Sequence, residues 1–170
     1  MSDPSRTPAD RSLFSVAQIQ HLIRVEFHRA QRYGYPLTCM MIGVDRLGHL
    51  RDLYGYESKE AIVDGVVDLL KRESRSSDFL GRMADDRLLA VVPHTGPEGA
   101  AALASRILSA SRDLGFESDG RSIAVTLSIG LAHTQGEELL FFDALLQGAE
   151  DGLGTAQASG GDRFEVGATS

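Results

Sequence analysis

Residues 78–93 have the sequence DFLGRMADDRLLAVVP, and this stretch decides the fold. Two short apolar segments, Asp78 to Met83 and Leu88 to Val92, are separated by the polar residues 84–87, and Pro93 ends the second segment. Such a pattern is typical of two strands joined by a tight turn. It predicts a β-hairpin in the middle of the chain.

A continuous apolar segment lies upstream of this hairpin. Residues 37–44, LTCMMIGV, carry no charge, which is typical of a central strand covered on both faces. Further strands are predicted at 123–132 (IAVTLSIGLA) and at 163–166 (RFEV). Between the strands, apolar residues recur with helical spacing. The predicted helices begin and end near residues 15–33, 47–53, 58–70, 97–113 and 139–157.

This order of elements predicts an α/β (α+β) fold: a mixed central sheet of about five strands with helices on both faces. Residues 15–170 are expected to form a single domain. Residues 1–14 are expected to form a flexible N-terminal arm, because the segment before the first helical pattern is polar and rich in Ser, Pro, Arg and Asp.

The composition excludes several classes of protein. The chain has 170 residues and a formal net charge of -7, which argues against nucleic acid or anionic membranes as partners. No apolar run reaches the roughly 18–20 residues of a membrane span, and no signal-peptide pattern opens the chain, so a cytoplasmic protein is expected. The single cysteine, Cys39, excludes a disulfide framework.

Several segments, in this order, resemble the GGDEF domain, the catalytic unit of diguanylate cyclases. They are RAQRYGYPLTCMMIGVD (29–45), YGYESKEAIVDGVVDLLKRESRSSDFLGRM (54–83), LLAVVP (88–93), VTLSIGLA (125–132) and DALLQGAEDGLGTAQASGGDRFEV (143–166). The resemblance implies a nucleotidyl-cyclase-like fold. It also implies a hairpin in which the family has its Gly-Gly-Asp/Glu-Glu-Phe signature.

The resemblance implies that the cyclase active site is altered in this chain. The family's first metal-binding Asp falls on Gly43, and Asp45 matches the second Asp of that motif. The hairpin signature falls on Ala84, Asp85, Asp86, Arg87 and Leu88, so that only Asp86 keeps the expected chemistry. The guanine-binding Asn and Asp fall on Arg51 and Glu60, and two phosphate-binding cations fall on Gln157 and Gly161. We expect no catalytic residue, no metal site and no requirement for magnesium, since divalent ions need carboxylate oxygens here.

A second family site is retained in the sequence. Many GGDEF domains carry a product-inhibition site, an Arg-x-x-Asp five residues before the signature. Here Arg75 and Asp78 are followed by five residues, 79–83, and then by the hairpin turn. The family's accessory Arg falls on Arg106, and a basic position that a neighbouring domain contributes falls on Arg29. Arginine forks suit the O6 and N7 acceptors of guanine, and a carboxylate accepts from its N–H groups.

The sequence therefore predicts a degenerate GGDEF domain that binds cyclic di-GMP, possesses no cyclase activity and acts as a receptor, with a ligand-dependent homodimer and an unidentified downstream protein as partners. One alternative is an interaction or dimerisation module with both nucleotide sites vestigial, in which Arg75 and Asp78 form an ordinary surface ion pair. Another is a non-catalytic regulator that senses GTP through Asp86 and Glu60.

Overall fold

The computed structural model describes residues 13–134 and 142–168. The described part begins with a two-residue strand, β1, and a long helix, α1. In chain order the elements are β1 (Leu13–Phe14), α1 (Val16–Tyr33), β2 (Leu37–Val44), α2 (Leu47–Tyr54), α3 (Tyr56–Glu73), β3 (Phe79–Arg82), β4 (Leu88–Pro93), α4 (Pro97–Arg112), β5 (Phe116–Ser118), β6 (Arg121–Ile123), β7 (Leu127–His133), α5 (Phe142–Ala158) and β8 (Arg163–Val166).

The main sheet has six strands in the order β1-β3-β4-β2-β7-β8. β2 lies at the centre, antiparallel to both β4 and β7, while β1 and β8 add parallel pairs at the two edges. The mixed sheet and its helices confirm the predicted fold class, but the expected five strands are six. The additional strand is β1, which is too short to give a periodic pattern in the sequence.

The boundaries of several elements differ from the prediction. Leu13 and Phe14, assigned to the flexible arm, pair with Leu80 and Gly81, so they extend the sheet instead. Residues 1–12 of that arm, and 139–141 of the last predicted helix, lie outside the described residues. The strand predicted at 123–132 is divided: its start belongs to a small β5–β6 hairpin that the sequence pattern did not indicate, and its remainder is β7.

Local sequence explains where the helices begin and end. Ser15 caps α1 through a capping box with Gln18, as its position before the helix predicts. Gly34, at φ 72°, ends that helix in the left-handed region. Gly55, at φ 95°, ends α2 and directly precedes α3, so α3 begins at Tyr56 rather than at Ser58.

The sheet is covered on both faces. Met40 and Ile42 of β2 face a core built with α3 and α4, whereas the alternating Cys39 and Met41 face a second core built with α1 and α5. Alternation of side chains along β2 explains this division. Within the described ranges, no helix is long and apolar enough to cross a membrane.

Candidate functional site

A cleft of about 400 Å³ opens between the end of β2, the β3–β4 turn and α5. Gly43 lies in its wall, and a Cβ at this position would be 3.2 Å from the side-chain amide nitrogen of Gln157. Gln157 therefore packs closely over the backbone position on which the family's metal-binding Asp falls. Two predicted site positions, Gly43 and Gln157, are in contact at the same wall.

Asp45 does not line this cleft, because its carboxylate is used elsewhere. One oxygen accepts from the hydroxyl of Ser128 at 2.6 Å, and the other accepts from Thr126 at 2.6 Å and from the backbone N–H of Asp162 at 3.0 Å. A Cβ on Gly161 would lie 2.5 Å from the same carboxylate. Asp45 thus joins the ends of β2, β7 and β8.

Four charged side chains form a network beside the β3–β4 turn: Lys59 and Glu60 of α3, Arg82 of β3 and Asp86 of the turn itself. Lys59 of α3 donates to Glu60 at 2.8 Å and to Asp86 at 2.9 Å. Arg82 donates to the same two carboxylates at 2.9 Å and 2.6 Å. Asp86, at φ 69°, is a residue type that tolerates the left-handed region, and this conformation brings its carboxylate between the two cations.

The cations control the charge of both carboxylates. Hydrogen bonds from Arg82 and Lys59 lower the pKa of Glu60. Burial tends to raise the pKa of Asp86, but hydrogen bonds from Lys59 and Arg82 outweigh it and the net shift is downward. The same contacts raise the pKa of Lys59. All four groups are therefore charged near neutral pH.

The remaining hairpin positions give the cleft no metal ligand set. Arg87 pairs with Asp85 at 2.6 Å and reaches Glu150 of α5 at 3.6 Å, across the cleft. Ala84 adds only a methyl group to the turn. Arg51 is exposed on α2, where it pairs with Asp52 and does not line the cleft.

The residues present do not fit the magnesium ion that the family uses. Gly43 supplies no oxygen from a side chain, and the carboxylate of Asp86 is already held by two cations. Among the described residues, no three His, Cys, Asp or Glu side chains are grouped to hold a metal ion.

A second cavity, of about 360 Å³, brings together Arg75, Asp78 and Arg106. Arg75 follows the end of α3, Asp78 immediately precedes β3, and Arg106 extends from α4. The sequence register predicted this grouping. Glu73 lies beside Arg106, with 3.4 Å between its carboxylate oxygen and the guanidinium Nε.

Arg75 is held at the wall of the second cavity. Its Nη2 donates to the carbonyl of Pro93 at 3.3 Å and to the hydroxyl of Thr95. Thr95 is buried, and its carbonyl in turn accepts from Thr38 of β2 at 2.8 Å. The other guanidinium nitrogens, Nε and Nη1, make no hydrogen bond within the described part of the chain.

Asp78 has an incomplete set of partners. Its Oδ2 accepts from the backbone N–H of Arg75 at 2.9 Å. Its Oδ1 is buried and has no hydrogen-bond partner among the described residues. Burial raises the pKa of this carboxyl group, although the contact with Arg75 opposes the shift. A buried oxygen without a donor is costly, and a turn of the Asp78 side chain toward the cavity would bring this oxygen within reach of an N–H donor of a ligand.

Arg29 lies outside this cavity. It is 61% exposed on α1 and pairs at 3.1 Å with Glu26, which is buried on the face of the sheet opposite α4. The other oxygen of Glu26 accepts from the hydroxyl of Tyr35 at 3.0 Å. Within one copy of the chain, Arg29 is not among the lining residues.

The comparisons with known proteins agree with this architecture. The profile of the family "Diguanylate cyclase, GGDEF domain" matches residues 12–163. The chain belongs to the GGDEF family. Diguanylate cyclase DgcP of Pseudomonas aeruginosa is 24% identical over 88% of this GGDEF domain and 22% of its own length, and DosC of Escherichia coli is 28% identical over 85% and 31%.

The GGDEF domain thus spans about a fifth to a third of the length of these curated relatives. Among solved structures, the GGDEF domain of DgcB from Caulobacter crescentus, in complex with c-di-GMP, superposes with a TM-score of 0.82. It is 16% identical, and the alignment covers 96% of each chain. This likeness shows the shared fold.

Three residues of this GGDEF domain were not predicted from the sequence: Lys59 belongs to the charged network beside the first cleft, and His94 and Thr95 line the second cavity. Lys59 lies within an ordinary helical pattern that does not indicate its role, although it is one of only two lysines in the chain. His94 and Thr95 follow the strand that ends at Pro93, and their contribution depends on how the chain bends there. No local sequence pattern indicates that bend.

Proposed function

We propose that this GGDEF domain does not synthesise cyclic di-GMP and instead binds it in the cavity lined by Arg75, Asp78 and Arg106. One observation carries the proposal: these three residues share a cavity in which Asp78 Oδ1 is buried without a donor while Arg75 keeps unused N–H groups. Guanine offers the matching groups, with N1–H and N2–H donors beside O6 and N7 acceptors.

The phosphates of the ligand call for further cations. Arg106 is 57% exposed, and its contact with Glu73 is long at 3.4 Å, so this side chain is available to a phosphate. Charge-assisted hydrogen bonds from arginine to phosphate are among the strongest in proteins. The c-di-GMP complex of the DgcB domain, a protein of the same family, adds support.

The absence of synthesis is supported by the first cleft. Gly43 provides no metal-binding carboxylate, and Gln157 lies against it. Asp86 is neutralised by Lys59 and Arg82, whose ammonium and guanidinium groups occupy its oxygens. Without a bridging divalent ion, the triphosphate of a substrate would face three carboxylates, of Asp85, Asp86 and Glu150, and only one lining cation, Arg87, which is itself paired with Asp85.

We also propose that two copies of the domain share the ligand. Arg29 is exposed on the face of the sheet opposite α4, so one copy can present it to the cavity of another. Sedimentation velocity with saturating cyclic di-GMP should show a dimer for the wild-type chain and a monomer for Arg29→Ala. An unchanged wild-type mass would refute sharing of the ligand.

Calorimetric titration tests the receptor function. Cyclic di-GMP should bind the wild-type chain with micromolar or tighter affinity, and Arg75→Ala should abolish the heat. Arg112→Ala is the matched control, because Arg112 lies on α4 in an exposed pair with Asp162, away from the cavity. No heat with the wild type would refute the proposal and favour an interaction module with vestigial nucleotide sites.

Chromatography tests the absence of synthesis. The purified domain, incubated with GTP and magnesium or manganese, should yield no cyclic di-GMP. Sustained turnover that persists through successive purification steps would contradict the proposal. Binding of GTP that survives Arg75→Ala and is lost in Asp86→Ala would point instead to a GTP-sensing regulator.

A further inference from the structure

The second cavity contains one side chain whose role is not explained by charge. Apart from the charged groups, its lining includes the small residues Gly96, Gly99 and Ala102 and the larger Val92 and Leu103. Among the described lining residues, only His94 carries an aromatic ring. A planar base entering this cavity would therefore have a single aromatic residue beside it.

The backbone holds His94 in an uncommon conformation. Its φ is 57°, in the left-handed region, where residues other than glycine are uncommon, although His is enriched among them as Asp and Asn are. The bend follows Pro93 at the end of β4 and directs the next residue, Thr95, inward to Arg75. Strain of this kind collects at ligand-binding sites, where the surrounding contacts maintain it.

A series of contacts fixes the imidazole ring. Tyr35 stacks against it, with ring centroids 3.9 Å apart and an interplanar angle of 29°. The hydroxyl of Tyr35 donates to Glu26 at 3.0 Å, and Glu26 is buried and paired with Arg29. Tyr35, itself held by Glu26, thus covers one face of the imidazole ring, while His94 as a residue remains exposed. A ring ordered before binding loses little freedom when a ligand arrives.

We propose that His94 is the stacking residue for a guanine base in this cavity, with the base held at its edge by Arg75 and Asp78. This inference rests on the proposed binding of cyclic di-GMP and assigns it a further contact. The guanine plane packs on the imidazole and extends the stack that Tyr35 begins. Hydrogen bonds at the edge of the base make binding specific for guanine, whereas stacking adds affinity that any purine would gain.

Titration of three variants with cyclic di-GMP tests the inference. His94→Asn removes the ring but suits the left-handed backbone, because Asn is enriched there. It should weaken binding about tenfold or more, the range expected for loss of one stacked base. His94→Phe keeps a ring and should stay within about threefold of the wild type, while Arg75→Ala should abolish binding. Thermal unfolding of each variant verifies that it is folded.

A second measurement uses only the wild-type chain. In NMR spectra of the wild-type chain, the imidazole protons of His94 should shift upfield when cyclic di-GMP is added, because a stacked purine shields them. The other four histidines serve as internal controls.

The two proposals fail in distinguishable ways. If the wild type binds, Arg75→Ala does not, and His94→Asn binds like the wild type with no shift of the His94 protons, the stacking role is refuted and the receptor function stands. If the wild type itself does not bind cyclic di-GMP, both are overturned.

Discussion

Replacing Thr95 by valine isolates the contact that holds Arg75 at the cavity wall. The side chains have nearly the same shape, and Thr95 is only 7% exposed, so the change removes a hydroxyl from a packed position. That hydroxyl accepts from Arg75 Nη2 and donates to the carbonyl of Pro93 at 3.2 Å. In the variant, Arg75 keeps only the 3.3 Å contact with Pro93.

The expected loss of affinity follows from the freedom that Arg75 regains. An arginine side chain carries about 2 kcal/mol of rotamer entropy. Each 1.4 kcal/mol corresponds to about a tenfold change in affinity, so complete release of the side chain would weaken binding about 30-fold. Since the Pro93 carbonyl still accepts one hydrogen bond, we expect Thr95→Val to weaken cyclic di-GMP binding about threefold to tenfold.

Isothermal titration calorimetry with cyclic di-GMP measures this effect directly. Thr155→Val is the matched control: its hydroxyl donates to the backbone of Asp151 on the exposed side of α5, and its affinity should equal that of the wild type. If Thr95→Val bound as tightly as the wild type, or more tightly, the Thr95 hydroxyl would not position Arg75.

Three further predictions concern charge. Glu73→Gln should tighten binding severalfold in the same titration, because Glu73 competes with the ligand for Arg106; unchanged affinity would contradict this. Affinity should fall as the pH drops through the raised pKa of Asp78, since a protonated carboxyl group is uncharged and accepts more weakly from guanine N–H groups, and Asp78→Asn should bind weakly without that pH dependence. The lowered pKa values of Glu60 and Asp86 mean that these groups stabilise the folded chain at pH values above their ordinary pKa values of 4.5 and 3.8. The free energy of unfolding in urea should therefore decrease as the pH falls through this range and below. A free energy of unfolding that did not change with pH would contradict the prediction.

Much of the fold follows from local patterns. The apolar run of β2 and the polar turn between β3 and β4 predict the centre of the sheet, because burial on both faces and a tight turn each leave a clear signal. β1 has two residues, and β5 and β6 have three each. Elements this short contain too few residues for a period, so tertiary pairing alone decides them.

The sites were predictable only where a family register applied. Arg75, Asp78 and Arg106 lie together as expected. Lys59 contacts Asp86 across 27 positions of sequence, and Arg75 reaches Thr95 across 20. Such contacts depend on how α3 packs against the hairpin and how the chain bends after β4. Neither is encoded in the spacing of apolar residues.

The two cavities differ in what their charged groups still lack, and this difference is why we expect a guanine nucleotide to bind in the second. The cleft beside Gly43 is lined by three carboxylates, on Asp85, Asp86 and Glu150, against the single guanidinium of Arg87. Asp86 is already paired with Lys59 and Arg82, and the Arg87 guanidinium is paired with Asp85 and lies 3.6 Å from Glu150, so the cleft has a net negative lining. Among the described residues, the second cavity contains Arg75 with two guanidinium nitrogens that make no hydrogen bond and Asp78 with an oxygen that accepts none. A ligand that brings both purine edges and phosphates gains hydrogen bonds in the second cavity and meets repulsion in the first.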